Sequence, residues 1–352
     1  MRTMKPRKPS LVVSIVCILT ATVGAGQRQA TTQPARSAPG SRVHKVEELT
    51  WRQIDALNRQ RTLFILPVGM LEQHGPHLPV GADTIGIMYE ANRVSARVSQ
   101  ALPDWHVVMM PAVNYGHGGA NLLGDRPIHP GTYAIRQSTL RSLVADIGGR
   151  IAENGFKWIF VMNGHGAPTH NIAINEASDF VSETYGVTML HVTGLFQADA
   201  AIQASGEKIK ARYFSAADLS SFGMDVHAGV SETSGILAIR PDLVLPDYKS
   251  LPSQSGRSLD ELRTIARAPG WQGYLSSPAR ATAAHGRAIE GWWIDGATDL
   301  ILRAVGGENM FVHPRLPDAV PAAVAPTLEK QLANEAAFDA RLENWLAQRK
   351  KH

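Results

Sequence analysis

Residues 62–84 read TLFILPVGMLEQHGPHLPVGADT. The first part, TLFILPVGM, is a continuous apolar, β-rich run, the pattern of a strand buried on both faces. The second part holds Glu72, His74, His77 and Asp83 among Gly and Pro residues. Such groups are costly to desolvate unless something pairs with them. A metal, a tight hydrogen-bond network and a plain exposed loop each meet that demand.

The same pattern recurs. WHVVMMPAV (105–113), KWIFVMNG (157–164) and GVTMLHVT (186–193) are further strand-like runs. Helical stretches separate them, among them IGIMYEANRVSARVSQAL (85–102) and STLRSLVADIGGRIAENG (138–155), and ELTWRQIDALNRQ (48–60) precedes the first strand as a helix. Apolar strands alternating with helices predict an α/β fold with a mostly parallel sheet covered on both faces. The first three strands each run into a polar, Gly-rich segment. Ligands of open α/β sheets bind beyond the carboxyl ends of the strands.

The chain has 352 residues, 44% hydrophobic and 19% charged, with a formal net charge of +4. Arg2, Lys5, Arg7 and Lys8 precede the apolar run LVVSIVCILTATVGAG, which reads as a secretory signal over 1–26. Export to a periplasmic or secreted location follows, with an uncleaved N-terminal membrane anchor as the alternative. Without those four charges the net charge is +4 − 4 = 0. The remainder gives no case for nucleic-acid binding, and no membrane contact is expected after cleavage. Cys17, the only cysteine, lies in that leader, which excludes thiol catalysis in the mature chain. Residues 27–46 read as a linker and 47–306 as the main domain. Residues 307–352 read as a helical extension, with Leu328, Leu332, Ala336, Leu342 and Leu346 on one face and Asp339 interrupting it. Phe196 to Gly223 reads as an inserted helical excursion.

Nine of the thirteen histidines fall between His74 and His227. Glu72 and His74, two apart in an extended segment, face one side. Their oxygen and nitrogen donors suit zinc, manganese or iron, and the Gly and Pro residues allow the loop to return Asp83 to the same place. His165 follows Asn163 and Gly164 at a strand's end. It is either a further donor or a solvent-facing residue of an Asn-Gly turn. In DVHAGVSETSG (225–235), His227 is placed to transfer protons and Glu232 to supply a carboxylate. The same segment also reads as a polar N-cap, with Ser231 or Thr233 opening a helix. His77, His117, Asn163 and Asp225 are read as groups that line the substrate space or support the ligands. The sequence contains no HExxH, GxSxG or P-loop motif.

PVGMLEQHGPHLPVGADT, HPGTY (129–133), NGHG (163–166), DVHAGVSETS and GYLSSPARATAAHG (273–286) occur in the order of the signature blocks of the creatininase family of metal-dependent amidohydrolases, which this chain resembles from about Glu47 to Gly306. The resemblance implies a three-layer α/β/α sandwich and two divalent metal ions per subunit. Carried over, Glu72, Asp83 and His165 hold one metal, and His74, Asp83 and Glu232 hold the other. His227 is the implied general acid/base. The implied reaction is cleavage of a C–N bond in a small amide or cyclic amide by a metal-bound hydroxide, in a homo-oligomer. Binding without turnover and cleavage of a C–C bond in a cyclic ketone are the alternatives. Two departures stand out, the first shifting weight in the second metal site to Glu232 and the second arguing against creatinine as substrate. Ala167 stands where the name-giving enzyme is acidic. Gly223, together with Gly194, Leu195 and Phe196, stands where that enzyme has tryptophans.

Overall fold

The apolar run Thr62–Val68 forms a strand, β2, and all seven of its residues are buried. In this computed structural model, residues 42–120, 123, 129–317, 322 and 325–349 are described. The leader at 1–26 and the linker as far as residue 41 lie outside the described residues. The last linker residues are ordered: Val43–Lys45 form the edge strand β1. His106–Met109, Trp158–Asn163 and Thr188–His191 form β3, β4 and β5. The sheet order is β1-β3-β2-β4-β5, and every pairing is parallel.

Side chains alternate across β2, as the pleat requires. Leu63 and Ile65 enter one apolar layer with Ile87 and Val94 of α2 (Ala82–Ala101) and Ile294 and Leu300 of α10 (Ala283–Val305). Phe64 and Leu66 enter the other, with Leu140 and Val144 of α3 (Gln137–Glu153) and Ile174 and Val181 of α4 (Pro168–Tyr185). The result is the expected three-layer sandwich. From β2 through α2 the chain passes to β3 on one side. From β3 through α3 it returns across β2 to β4. Right-handed crossovers in opposite directions put α2 and α3 on opposite faces. The reversal opens a crevice beyond the carboxyl end of β2.

The excursion is helical, as α5 (Val192–Ala198), α6 (Ala200–Tyr213) and α7 (Ala216–Phe222). Helices α8 (Val230–Ile239) and α9 (Leu259–Arg267) follow. The helix α1 spans only Trp51–Asp55, shorter than the run ELTWRQIDALNRQ suggests. Thr50 and Gln53 close a capping box at its start. At its end the Arg59 guanidinium donates to the carbonyls of Ile54 and Leu57 (3.3 and 2.8 Å), stopping the helix. The C-terminal helix, α11 (Ala325–Arg349), has no buried residue. Its apolar stripe is not what seats it, since Leu332, Leu342 and Leu346 stay exposed. Polar contacts hold it instead: Glu335 accepts from the Gln137 N–H (3.1 Å), and Asp339 pairs with Arg136 (3.1 Å). The acid that breaks the stripe is therefore an anchor. Among the described residues no helix is long and apolar enough to cross a membrane.

Two carboxyls meet where α2 packs on α10. Glu290 is buried, one of its oxygens lacks a hydrogen-bond partner, and Glu90 faces it. Burial pushes the Glu290 carboxyl up to about 7. Burial, with Glu290 beside it, also raises Glu90. A raised folded-state pKa costs nothing below the ordinary glutamate range and its full penalty above about 7. Glu290→Gln should therefore raise the melting temperature at pH 8 and leave it unchanged near pH 4. Thermal unfolding of both proteins across that range measures it, and equal profiles would show that the pair carries no penalty.

Candidate metal centre

Beyond β2 the chain turns back on itself. The Glu72 N–H donates to the Val80 carbonyl (2.8 Å), and the Ala82 N–H to Pro79 (3.1 Å). Asp83 then falls in the first turn of α2, where the helix dipole favours a negative charge. Beside it, β4 ends in the NGHG turn. Asn163 holds this turn. Its Oδ1 accepts from the His165 N–H (3.0 Å), and its Nδ2 donates to the His165 carbonyl (2.6 Å). A Cβ on Gly164 would lie 2.5 Å from the Asp83 carbonyl oxygen, so only glycine lets the two loops approach this closely.

The loops bring six side chains together. His74 Nε2 lies 3.1 Å from Asp83 Oδ1 and 3.6 Å from Glu232 Oε2. His165 Nδ1 lies 3.0 Å from Asp83 Oδ2 and 3.2 Å from Glu72 Oε2. Two donor triangles result, Glu72–Asp83–His165 and His74–Asp83–Glu232, each with ligand atoms within 4.8 Å of one another. They share Asp83. A third triangle, Glu72–His74–His227, places His227 within reach of the ligands too, which spacing along the chain does not disclose. Glu72 Oε2 and Asp83 Oδ2, the two oxygens that face His165 Nδ1, are buried with no hydrogen-bond partner. The contacts of His165 with Glu72 and Asp83 are close but not aligned as hydrogen bonds. Lone pairs turned on a common point suit a cation better than each other. His74 Nδ1 donates to the Glu72 carbonyl (2.8 Å), which aims Nε2 at the cluster.

The charges are strongly coupled. Burial opposes a proton on His74, but Asp83, Glu232 and Glu72 together raise it to about 10. His165 is likewise raised, against its burial, by Glu72 and Asp83. Burial pushes Asp83 up, but His74 and His165 outweigh it and hold that carboxyl below the usual range. Glu232 goes the other way, to about 7, chiefly through burial. A divalent cation entering here would displace the imidazole protons.

The neighbouring residues divide by role. His77 is fully buried, and its Nε2 meets Thr233 Oγ1 (2.9 Å), away from the triangles. Asp225 accepts from the N–H groups of Val230 and Ser231 (both 2.8 Å). It is thus Asp225, not Ser231 or Thr233, that caps α8 and so sets Glu232. His170 is fully buried. Its Nε2 donates to Asn163 Oδ1 (3.0 Å), and its Nδ1 accepts from the His117 N–H (3.1 Å). His117 Nδ1 donates to the Ile135 carbonyl (2.9 Å) and lies 3.2 Å from Glu335. Two groups were missed in the sequence. The Gln73 side chain lies 3.3 Å from His227 Nε2, a placement signalled only by its position between two ligand types. The Ala120 N–H donates to Glu72 Oε1, and a backbone donor leaves no mark on residue type.

The family model for creatininase, described as creatinine amidohydrolase, matches residues 47–301. A mycofactocin precursor peptide peptidase from Mycobacterium ulcerans (strain Agy99) is 32% identical over 255 residues, 70% of this chain and 86% of that protein. A creatinine amidohydrolase from Pseudomonas putida is 28% identical over 270 residues, covering 73% and 95%. A solved structure described as a Mn creatininase aligns with a TM-score of 0.56 at 27% identity, covering 74% of this chain and 98% of that one.

The geometry makes the ligand set testable without touching a ligand. Gly119 has φ +121°, and a Cβ there would lie 2.8 Å from Glu72 Oε1. Gly119→Ala should displace Glu72 and weaken metal retention by tenfold or more in a chelator competition. Gly166→Ala, where a Cβ meets nothing within 4 Å, should leave it unchanged. Equal retention in all three proteins would remove Glu72 from the ligand set.

Proposed function

The chain belongs to the creatininase family of metal-dependent amidohydrolases acting on non-peptide or small-peptide C–N bonds, and we propose that it hydrolyses a small amide or cyclic amide at the cluster around Asp83. The observation that carries this reading is the pair of donor triangles sharing one buried carboxylate. Glu72, Asp83 and His165 would hold one divalent cation, and His74, Asp83 and Glu232 a second, with zinc or manganese suited to the nitrogen and oxygen donors. Bound cations supply a water acidified to near-neutral pKa and a polarised carbonyl oxygen.

The chain's own residues handle the proton and the fit. His227 holds a proton on Nε2, donated to the Gln73 carbonyl (2.8 Å), and the Leu275 N–H fixes the His227 carbonyl (2.9 Å). Burial lowers His227 to about 4, so the ring is neutral at rest; in this reading it takes up the proton released by the attacking water and hands one to the leaving nitrogen, a contribution on the order of 10²–10⁴ in rate. Two of its neighbours in the fold, Ala228 and Ser276, adopt positive φ (49° and 69°). Strained backbone of this kind clusters where a side chain must be aimed.

Creatinine is a poor fit. Gly223 has φ +63°, and a Cβ there would strike the Gly256 carbonyl at 2.4 Å, so no side chain from this position can cover a flat ring. Leu195 and Phe196 are buried in the core instead of lining the crevice.

His227→Ala should retain metal and lose about 10²-fold or more in kcat on whichever amide of a panel of formamides, lactams and short peptides is turned over. Full activity in that variant would remove His227 from proton transfer. A metal-loaded wild type that turns over nothing in the panel would favour binding without hydrolysis. Export rests on residues 1–26 alone. Fractionation should recover a chain lacking them outside the cytoplasm, and an intact cytoplasmic chain would reject the leader.

A further inference from the structure

The helix α11 lies outside the part of the chain matched by the family, which ends at residue 301. Yet it forms one wall of a cavity beside the metal cluster. Gly118, Gly119 and Ala167 line one side, and Leu328 and Gln331 of α11 line the other. The cavity and the cluster are one glycine apart. Gly119 borders the cavity, and its α-carbon backs directly on Glu72. Ala167, on the same wall, follows His165 by two residues.

The helix is fixed in this place. Glu335 lies 3.2 Å from His117 Nδ1 and accepts from the Gln137 N–H. The Gln331 amide is 3.5 Å from the same His117 nitrogen. Asp339 pairs with Arg136, whose guanidinium also covers the Phe338 ring at 4.9 Å. At the other end, Arg263 of α9 donates to Thr327 (3.4 Å). A hydrogen bond before Gln331 and an ion pair after it therefore set the distance between Leu328 and Ala167.

The cavity measures about 70 Å³. That is roughly half of the ~150 Å³ apolar cavity able to take a benzene ring, enough for a branched group of three or four carbons. Among the described residues its contact surface is mostly apolar, with Arg263, Thr169, Thr327 and Gln331 as the polar side chains on it. We propose that the C-terminal helix completes a substrate subsite, in which Leu328 against Ala167 selects amides carrying a short branched aliphatic group next to the reacting carbonyl. The proposal rests on the amide reading above.

The test uses the full-length, metal-loaded protein and binding, not turnover, so that failure of hydrolysis and failure of the subsite are separable. Acetamide, isovaleramide and 3,3-dimethylbutanamide serve as probes, with dissociation constants read by NMR titration. The wild type should bind isovaleramide on the order of tenfold more tightly than acetamide, from the extra apolar carbons buried. Leu328→Trp fills the cavity and should abolish that preference while leaving acetamide affinity and metal content unchanged. Leu328→Ala enlarges it and should shift the preference to 3,3-dimethylbutanamide. Leu328 lies on a surface helix with no buried residue, so neither variant endangers the core. A wild type without preference, or one unchanged in both variants, would overturn the subsite.

Discussion

The buried carboxylate of Asp83 sets the terms for everything around it. It sits at the start of α2 with His74 on one oxygen and His165 on the other. A carboxylate removed from water is tolerated only when charges and donors surround it. Meeting that demand takes residues from two separate segments, His74 of the loop leaving β2 and His165 of the turn leaving β4. The crevice is thus assembled around a charge and not merely left over from the packing of helices.

The two apolar layers make this possible by keeping polar chemistry out of the sheet. Strand side chains serve one layer or the other, and the ionisable groups collect past the strand ends. The segment 273–286 then braces the far side. The Leu275 N–H holds the His227 carbonyl, Tyr274 packs edge-on against His77, and the Trp271 indole donates to the Tyr274 carbonyl (2.7 Å). Thr132 of the HPGTY segment accepts from the Gln73 N–H (3.2 Å) and completes the frame. Each short block of sequence near the crevice thus has a mechanical task that its residue types alone do not announce.

The strands were legible because a doubly covered parallel sheet leaves an uninterrupted apolar signature. The candidate ligands were legible because Glu, His and Asp are conspicuous beside such runs. Other features were hidden for physical reasons. The capping of α8 by Asp225 depends on a turn five residues long, not on the helix's own first residues. The contact of Gln73 with His227 joins positions 154 apart. The seating of α11 went unread because an apolar stripe suggests burial, whereas this helix is held by ion pairs that only the tertiary fold brings together.

The NGHG turn has one more consequence, for the chemical lifetime of the chain. An Asn followed by Gly is the pair most open to succinimide closure, in which the glycine nitrogen attacks the side-chain amide. Here both partners are occupied. The Gly164 N–H donates to the Val68 carbonyl (2.9 Å), and the Asn163 side chain is held by His165, His170 and Asn171. The folded state thus shields this Asn–Gly pair, one of two in the chain, the other being Asn154–Gly155. Each excursion to the unfolded state exposes the shielded pair, and an aspartate formed there would lack both amide protons that hold the turn. Loss of folding and covalent ageing are coupled at this one peptide unit.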